Sequence, residues 1–113
     1  MSECLFCKIV RGEIPSKKVY EDERVLAFQD VNPTAPVHIL VIPKEHVTSL
    51  ADLKDEQLEL IGYLHGIMRN LAKELGLLDG YRIVNNCGED GGQTVKHLHF
   101  HLLGGKKLAW PAG

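Results

Sequence analysis

The sequence predicts an α+β fold: a five-stranded antiparallel sheet carrying one long helix, with a second, short helix near the N-terminus. Three observations predict it. Strand-like and helical segments alternate in the order β, β, β, α, β, β; apolar residues recur at steps of three or four between Asp55 and Gly76; and the last strand-like run alternates histidine with large apolar residues. A chain of 113 residues has room for one hydrophobic core, so a single domain spanning residues 1–113 is expected.

Phe6, Ile9 and Val10 follow Cys4 at helical spacing, and Gly12 with Pro15 ends the segment, which predicts the short helix. Lys18–Glu21 and Arg24–Gln29 read as two strands of a hairpin turning at Asp22-Glu23, because Val19, Val25, Ala27 and Phe28 lie between charged residues. After the break Asn32-Pro33-Thr34-Ala35-Pro36, the β-rich run Val37–Ile42 has the composition of a central strand and stops at Pro43. Leu58, Ile61, Leu64, Met68, Leu71 and Leu75 build one apolar face of the long helix, which should end near Gly76. Tyr81–Val84 is the fourth strand, and the glycine-rich turn Gly88–Gly92 returns the chain into the fifth, His97–Leu103.

The composition narrows the function classes. With 44% hydrophobic and 25% charged residues the chain has the balance of a folded globular protein, and 13 basic against 15 acidic side chains leave no charge excess to attract a phosphate backbone or an anionic bilayer. Nucleic acid and membrane partners are not expected. No window approaches the roughly 20 apolar residues of a membrane span, and no basic stretch precedes an apolar signal segment, so a cytoplasmic location is the simplest expectation. Three cysteines make no even disulfide framework, and the Cys4-x-x-Cys7 spacing suits a metal or a redox dithiol better than a structural bridge.

The chemistry concentrates in His97-Leu98-His99-Phe100-His101-Leu102-Leu103. Period two is what a half-buried strand requires, so the three imidazoles should share a face with neighbours about 7 Å apart, while Leu98, Phe100 and Leu102 pack beneath the sheet. A solvent-facing strand that happens to use histidine is the plain alternative. A catalytic metal is the stronger one, because alternate strand positions can supply two or three imidazole ligands. The loop before the strand, Asn86-Cys87-Gly88-Glu89-Asp90-Gly91-Gly92-Gln93-Thr94, favours phosphate instead. Its glycines allow the backbone amides to form an anion nest, and Gln93 and Thr94 can donate to phosphate oxygens without carrying charge.

The run Asn86–Leu103 resembles the signature of the histidine triad (HIT) superfamily, His-φ-His-φ-His-φ-φ with φ hydrophobic. The segments Leu26–Val31 and Pro36–His46 and the terminal Trp110-Pro111 are similar to the Hint branch of nucleotide-binding proteins. Gly104-Gly105 replaces the Pro-Arg-like continuation of the dinucleoside-polyphosphate hydrolase branch, and the third histidine is not the Gln of the transferase branch. The resemblance implies that His99 is a nucleophile attacking the α-phosphorus, that His101 contacts phosphate oxygens, and that His97 and His38 support His99. It implies that Asn86, Gly92, Gln93 and Thr94 form the phosphate and ribose-side loop. It also implies that Asp30 accepts from the ribose hydroxyls and that Phe6, Ile9, Phe28, Val31 and Leu40 line a slot for the base. Each of these apolar residues is otherwise an ordinary core residue, and His38 an ordinary sheet histidine. Thr94 stands where some relatives have Ser, adding a methyl near the leaving group.

The resemblance further implies a structural zinc held by Cys4, Cys7, His46 and His97, and no catalytic metal; a thioredoxin-like redox pair should instead follow a strand of a βαβ unit. The implied activity is hydrolysis of purine nucleoside 5′-phosphoramidates or aminoacyl adenylates (AMP or GMP derivatives) through a nucleotidyl-histidine. The implied assembly is a homodimer joined across the long helix and a strand into one continuous sheet. Rival readings are a nucleotide-binding sensor or scaffold with incidental hydrolysis, a zinc hydrolase with the triad as ligands, and a redox or structural zinc module. Cys87 reads as a loop residue and His65 as a helix-surface residue.

Overall fold

The computed structural model describes residues 4–112, so residues 1–3 and 113 of the expected domain lie outside the described residues. The elements are α1 (Leu5–Val10), β1 (Lys18–Glu21), β2 (Val25–Gln29), β3 (Val37–Pro43), α2 (Leu58–Glu74), β4 (Tyr81–Val84) and β5 (Phe100–Gly104), with 3-10 turns at Leu50–Asp52 and Asp55–Gln57 leading into α2. The strands form one sheet in the order β1-β2-β3-β5-β4, each pair antiparallel.

The alternation of side chains along β2 and β3 gives the sheet two buried faces. Val25, Ala27, Ile39 and Val41 pack under α2 together with Leu98, Phe100 and Leu102, while Leu26, Phe28, Leu40 and Ile42 face α1 through Phe6 and Ile9. The histidines belong to this second, α1-side face, as the apolar residues between them belong to the first.

The helical face differs from the expected one. Leu60, Leu64, Ile67, Met68, Leu71 and Ala72 are buried, whereas Leu58 and Leu75 stay 55% and 39% exposed. Leu58 stands on the side of the helix opposite buried Ile67, nine residues on, and Leu75 caps the C-terminus beyond the last buried turn. The helix ends where expected: Gly76 takes φ +77°, and the amides of Gly76 and Leu77 return to the carbonyls of Lys73 and Ala72, which satisfies the last turn.

The β1–β2 turn is tied to α2 by one carboxylate. Asp22 accepts from the backbone amides of Arg24 and Val25 and from the hydroxyls of Tyr20 on β1 and Tyr63 on α2. Burial raises its affinity for a proton, but these donors outweigh that and hold the carboxyl at about 2, below its ordinary 3.8. Because the folded value is the depressed one, the stabilisation is present above about pH 4 and is lost as pH falls toward 2. Asp22→Asn is expected to cost about 2 kcal/mol at pH 7, a difference that shrinks between pH 4 and 2; denaturant titration of both proteins across that range measures it.

Candidate active site

The regular part of β5 starts at Phe100, three residues later than the expected strand. The cause is a change of partners. Across from His97–His99 the carbonyl of Pro43 accepts from the His97 ring at 2.8 Å, and the Leu98 amide leaves the sheet to donate to the Val47 carbonyl. The alternation survives this bend: Leu98, Phe100 and Leu102 enter the helix-side core, and the rings of His97 and His99 meet the Phe6 ring edge-on at 5.9 and 5.2 Å between centroids. The imidazoles are not on a solvent-facing strand. His97 is fully buried, His99 is 4% exposed and His101 is partly buried.

Hydrogen-bond partners fix the tautomers of four histidines, since a carbonyl only accepts and a backbone amide only donates. His97 Nε2 lies 2.8 Å from the Pro43 carbonyl and therefore carries the proton, leaving a lone pair on Nδ1. His99 Nδ1–H donates to the His97 carbonyl at 2.8 Å, leaving a lone pair on Nε2, which has no hydrogen-bond partner among the described residues. His38 Nδ1 accepts from the Thr34 amide at 3.1 Å, so its Nε2–H donates to His101 Nδ1 at 2.9 Å, and His101 carries its own proton on Nε2. His38 and His101 are diagonal neighbours on β3 and β5, which brings the rings together. Burial holds His101 near 4, helped by the neighbouring His99 and His38 and opposed by Asp30; burial likewise holds His97 near 4 and lowers His38. These three rings are neutral at neutral pH, as the tautomer chain requires.

His97 thus has two separate connections. Its carbonyl orients His99, while its ring faces away from the other triad members. Asn85, just past β4, was not singled out in the sequence; its side-chain amide donates to the His99 carbonyl at 2.9 Å and continues by side chain the support that β4 gives β5. Nothing in its local sequence marks it, because the role depends on where β4 stops relative to β5.

The glycine-rich loop is more self-contained than expected. The amides of Gly92 and Gln93 donate to the carbonyls of Glu89 and Gly88, and Asn86 Nδ2 donates to the Gly91 carbonyl at 2.7 Å. The Gln93 side chain, expected to hold phosphate, has its polar groups engaged: Oε1 accepts from the Gly88 amide, and Nε2 donates to the Thr48 and Val95 carbonyls. Gly92 and Gln93 therefore shape the loop, and in this arrangement they have no spare donor for an anion. A Cβ on Gly91 would collide with the Cys87 carbonyl, so the loop can close only around glycine there. Thr94 is exposed, and its hydroxyl and amide make no hydrogen bond among the described residues.

A cleft of about 770 Å³ runs between α1 and the sheet, and Phe6, whose ring meets His97 and His99, forms part of its lining. Phe6, Ile9, Phe28 and Leu40 form its buried floor, and Asp30 stands in its wall with Oδ1 accepting from the Asn32 amide. Val31, expected within an apolar slot, is 90% exposed and sits on the rim. It follows β2 outward past the last rung of the ladder. Ile14, Pro15, Ser16 and Pro33 also line the cleft, and the Ser16 hydroxyl is buried without a hydrogen-bond partner among the described residues. The sequence had shown Pro15 and Pro33 only as breaks.

A second cluster gathers Cys4, Cys7, His46 and His97, whose ligand atoms all lie within 4.8 Å of one another. His97 Nδ1 is 3.4 Å from Cys4 Sγ and 3.1 Å from His46 Nδ1, and Cys7 Sγ is 3.3 Å from His46 Nδ1. The donor set fits a structural zinc. The lone pair on His97 Nδ1 is aimed at the other ligands by the Pro43 carbonyl behind it, the outer-shell arrangement a metal-bound histidine uses. Burial, with Cys4 beside it, pushes the Cys7 thiol up, so two thiolates need a cation for company. His65 is exposed on α2, its Nδ1–H donating to the Ile61 carbonyl, and Cys87 lies partly buried in the loop.

This geometry agrees with what comparison with known proteins finds. The HIT domain family matches residues 11–108. A 14 kDa zinc-binding protein of Zea mays is 52% identical over 99% of this chain and 89% of its own length. A HIT family hydrolase from Legionella pneumophila superposes with a TM-score of 0.96 at 47% identity, covering 98% of this chain and all of that one. A histidine triad nucleotide-binding protein from Candida albicans does so with 0.81 at 35% identity, covering 98% and 85%. The chain belongs to the HIT domain family.

Proposed function

We propose that the protein is a nucleotide hydrolase that cleaves purine nucleoside 5′-phosphoramidates, or mixed anhydrides such as aminoacyl adenylates, to the nucleoside monophosphate. The observation that carries this reading is the tautomer of His99: a buried imidazole packed on Phe6 of the cleft, with Nδ1–H spent on a backbone carbonyl and an unpartnered lone pair on Nε2. The HIT family hydrolase and the histidine triad nucleotide-binding protein among its structural relatives support the reaction class and the ligand class.

The base lies between the apolar walls made by Phe6, Ile9, Phe28 and Leu40, where dispersion holds a flat purine. Asp30 Oδ2, which lies 3.4 Å from His38 Nε2, accepts from a ribose hydroxyl. His101 Nε2–H and the unengaged hydroxyl and amide of Thr94 hold phosphate oxygens, with Asn86 and the braced loop behind them. His99 Nε2 attacks phosphorus, the bond to the amine or acyl group breaks, and water then releases the nucleotide from nitrogen. His38 keeps His101 in the donating tautomer, and the His97 carbonyl keeps His99 in the attacking one. All these donors to phosphate are neutral, so they stabilise the developing charge without a first-row metal in the reaction path.

Cys4, Cys7, His46 and His97 hold a structural zinc, which supplies a closed cross-link between α1, the segment after β3 and the approach to β5. The zinc-binding protein of Zea mays supports this assignment. A homodimer is supported by the position of β4 at the sheet edge and by exposed Leu75, Leu78 and Tyr81 beside it. No helix among the described residues is long and apolar enough to cross a membrane.

Release of AMP from adenosine 5′-phosphoramidate, followed by chromatography with the purified protein, tests the activity. Saturable release that AMP inhibits competitively is expected. Release no faster than in buffer would leave the nucleotide-binding sensor as the better reading.

A further inference from the structure

We propose that Asp30, His38 and His101 form a second divalent-cation site, separate from the cysteine cluster, whose occupation by a first-row transition metal excludes nucleotide and stops the reaction. Asp30, His38 and His101 each offer one ligand atom, and the three atoms all lie within 4.8 Å of one another. His38 Nε2 is 2.9 Å from His101 Nδ1 and 3.4 Å from Asp30 Oδ2. A metal at about 2.0–2.2 Å from each atom spans the first separation near a right angle and the second near a tetrahedral one. Two imidazoles and one carboxylate with open positions suit zinc, cobalt or copper rather than magnesium.

What occupies that space in the relay is a single proton, the one His38 Nε2 donates to His101. Metal binding needs a lone pair there. The neutral ring supplies it by moving the proton to Nδ1, where it loses the Thr34 amide as a donor and gains the Thr34 hydroxyl, 3.5 Å away, as an acceptor. No proton need leave the ring, and no residue is shared with the cysteine cluster. The cation takes the carboxylate oxygen proposed for the ribose and the nitrogen through which His38 orients His101, so cation and nucleotide compete. This competition, unlike the binding itself, rests on the proposed function.

The test titrates Co²⁺ into protein already holding one zinc per chain. One further Co²⁺ is expected, with d–d absorption but no thiolate charge-transfer band, and AMP should raise its apparent Kd. Asp30→Asn should weaken that Co²⁺ by about tenfold or more while retaining the zinc. With Zn²⁺ as the second ion, ¹⁵N NMR should show the protonated nitrogen of His38 change from Nε2 to Nδ1. Absence of a second equivalent, or one indifferent to Asp30→Asn and to AMP with the His38 tautomer unchanged, would overturn the proposal. A second site that answers to Asp30→Asn in a protein without hydrolytic activity supports the site and counts against the proposed function instead.

Discussion

Replacing His99 by glycine is expected to lower phosphoramidate turnover by about 10⁴-fold or more and to leave nucleotide binding measurable. The groups proposed to bind nucleotide lie elsewhere: the apolar floor on α1, β2 and β3, the Asp30 carboxylate, and the donors of His101 and Thr94. The loss falls on the step that needs a lone pair on nitrogen. His99 is buried edge-on against Phe6, so glycine leaves a ring-sized space, and free imidazole should enter it and restore part of the rate. Rescue separates loss of a nucleophile from collapse of the site. Steady-state kinetics with and without imidazole, beside calorimetric AMP binding, make the comparison. Turnover within tenfold of the parent would remove His99 from the reaction.

The second large effect is expected at the cysteines. Cys4 caps α1, its sulfur accepting from the Cys7 amide, and α1 itself is a helix of six residues, too short to be stable without tertiary support. The double variant Cys4→Ser, Cys7→Ser should lose the proposed zinc and with it the cross-link from α1 to His46 and His97. A loss of about 3 kcal/mol, the usual contribution of a single cross-link, corresponds to a Tm lower by roughly 10–20 °C. Since Phe6 and Ile9 are carried on α1 and form the floor of the cleft, nucleotide affinity should fall with Tm, whereas Asp22→Asn should lower stability and leave affinity unchanged. Metal analysis, scanning calorimetry and AMP titration of the three proteins check this. Parent protein purified without chelator and containing no metal would contradict the assignment.

The fold was legible because it depends on local pattern. Val37–Ile42 carries no interruption before Pro43, and the alternation at His97–Leu103 forces apolar and imidazole side chains to opposite faces whether or not every residue pairs in the ladder. What was not legible depends on where an element meets its neighbour. Leu75 fits the helical period as well as Leu64 does but lies at the helix end, whereas Leu58, nine residues before buried Ile67, stands on the opposite side of the helix at about 100° per residue. Leu60, Ile67 and Ala72 are buried because they share the face of Leu64, Met68 and Leu71 that packs on the core.

The same division runs through the site. Histidine spacing suffices to bring His97, His99 and His101 to one face, and a resemblance suffices to associate Cys4 and Cys7 with His46. Neither says that the ring and the carbonyl of His97 serve different clusters, which follows from the Pro43 carbonyl behind the ring. Nor does composition distinguish a glutamine that donates to a ligand from one whose amide closes a loop. Gln93 is the second kind, and only the positions of Thr48 and Gly88 decide it.

The most direct test is quenching in alkaline denaturant, which preserves a phosphorus–nitrogen bond, during turnover of a radiolabelled adenosine 5′-phosphoramidate, followed by mass spectrometry of the peptide containing residues 97–101. We expect an acid-labile adenylyl group on Nε2 of His99, formed and consumed at rates that match turnover. Turnover without adduct, together with inversion of configuration at phosphorus, would mean that water attacks directly and that the imidazole is not the nucleophile.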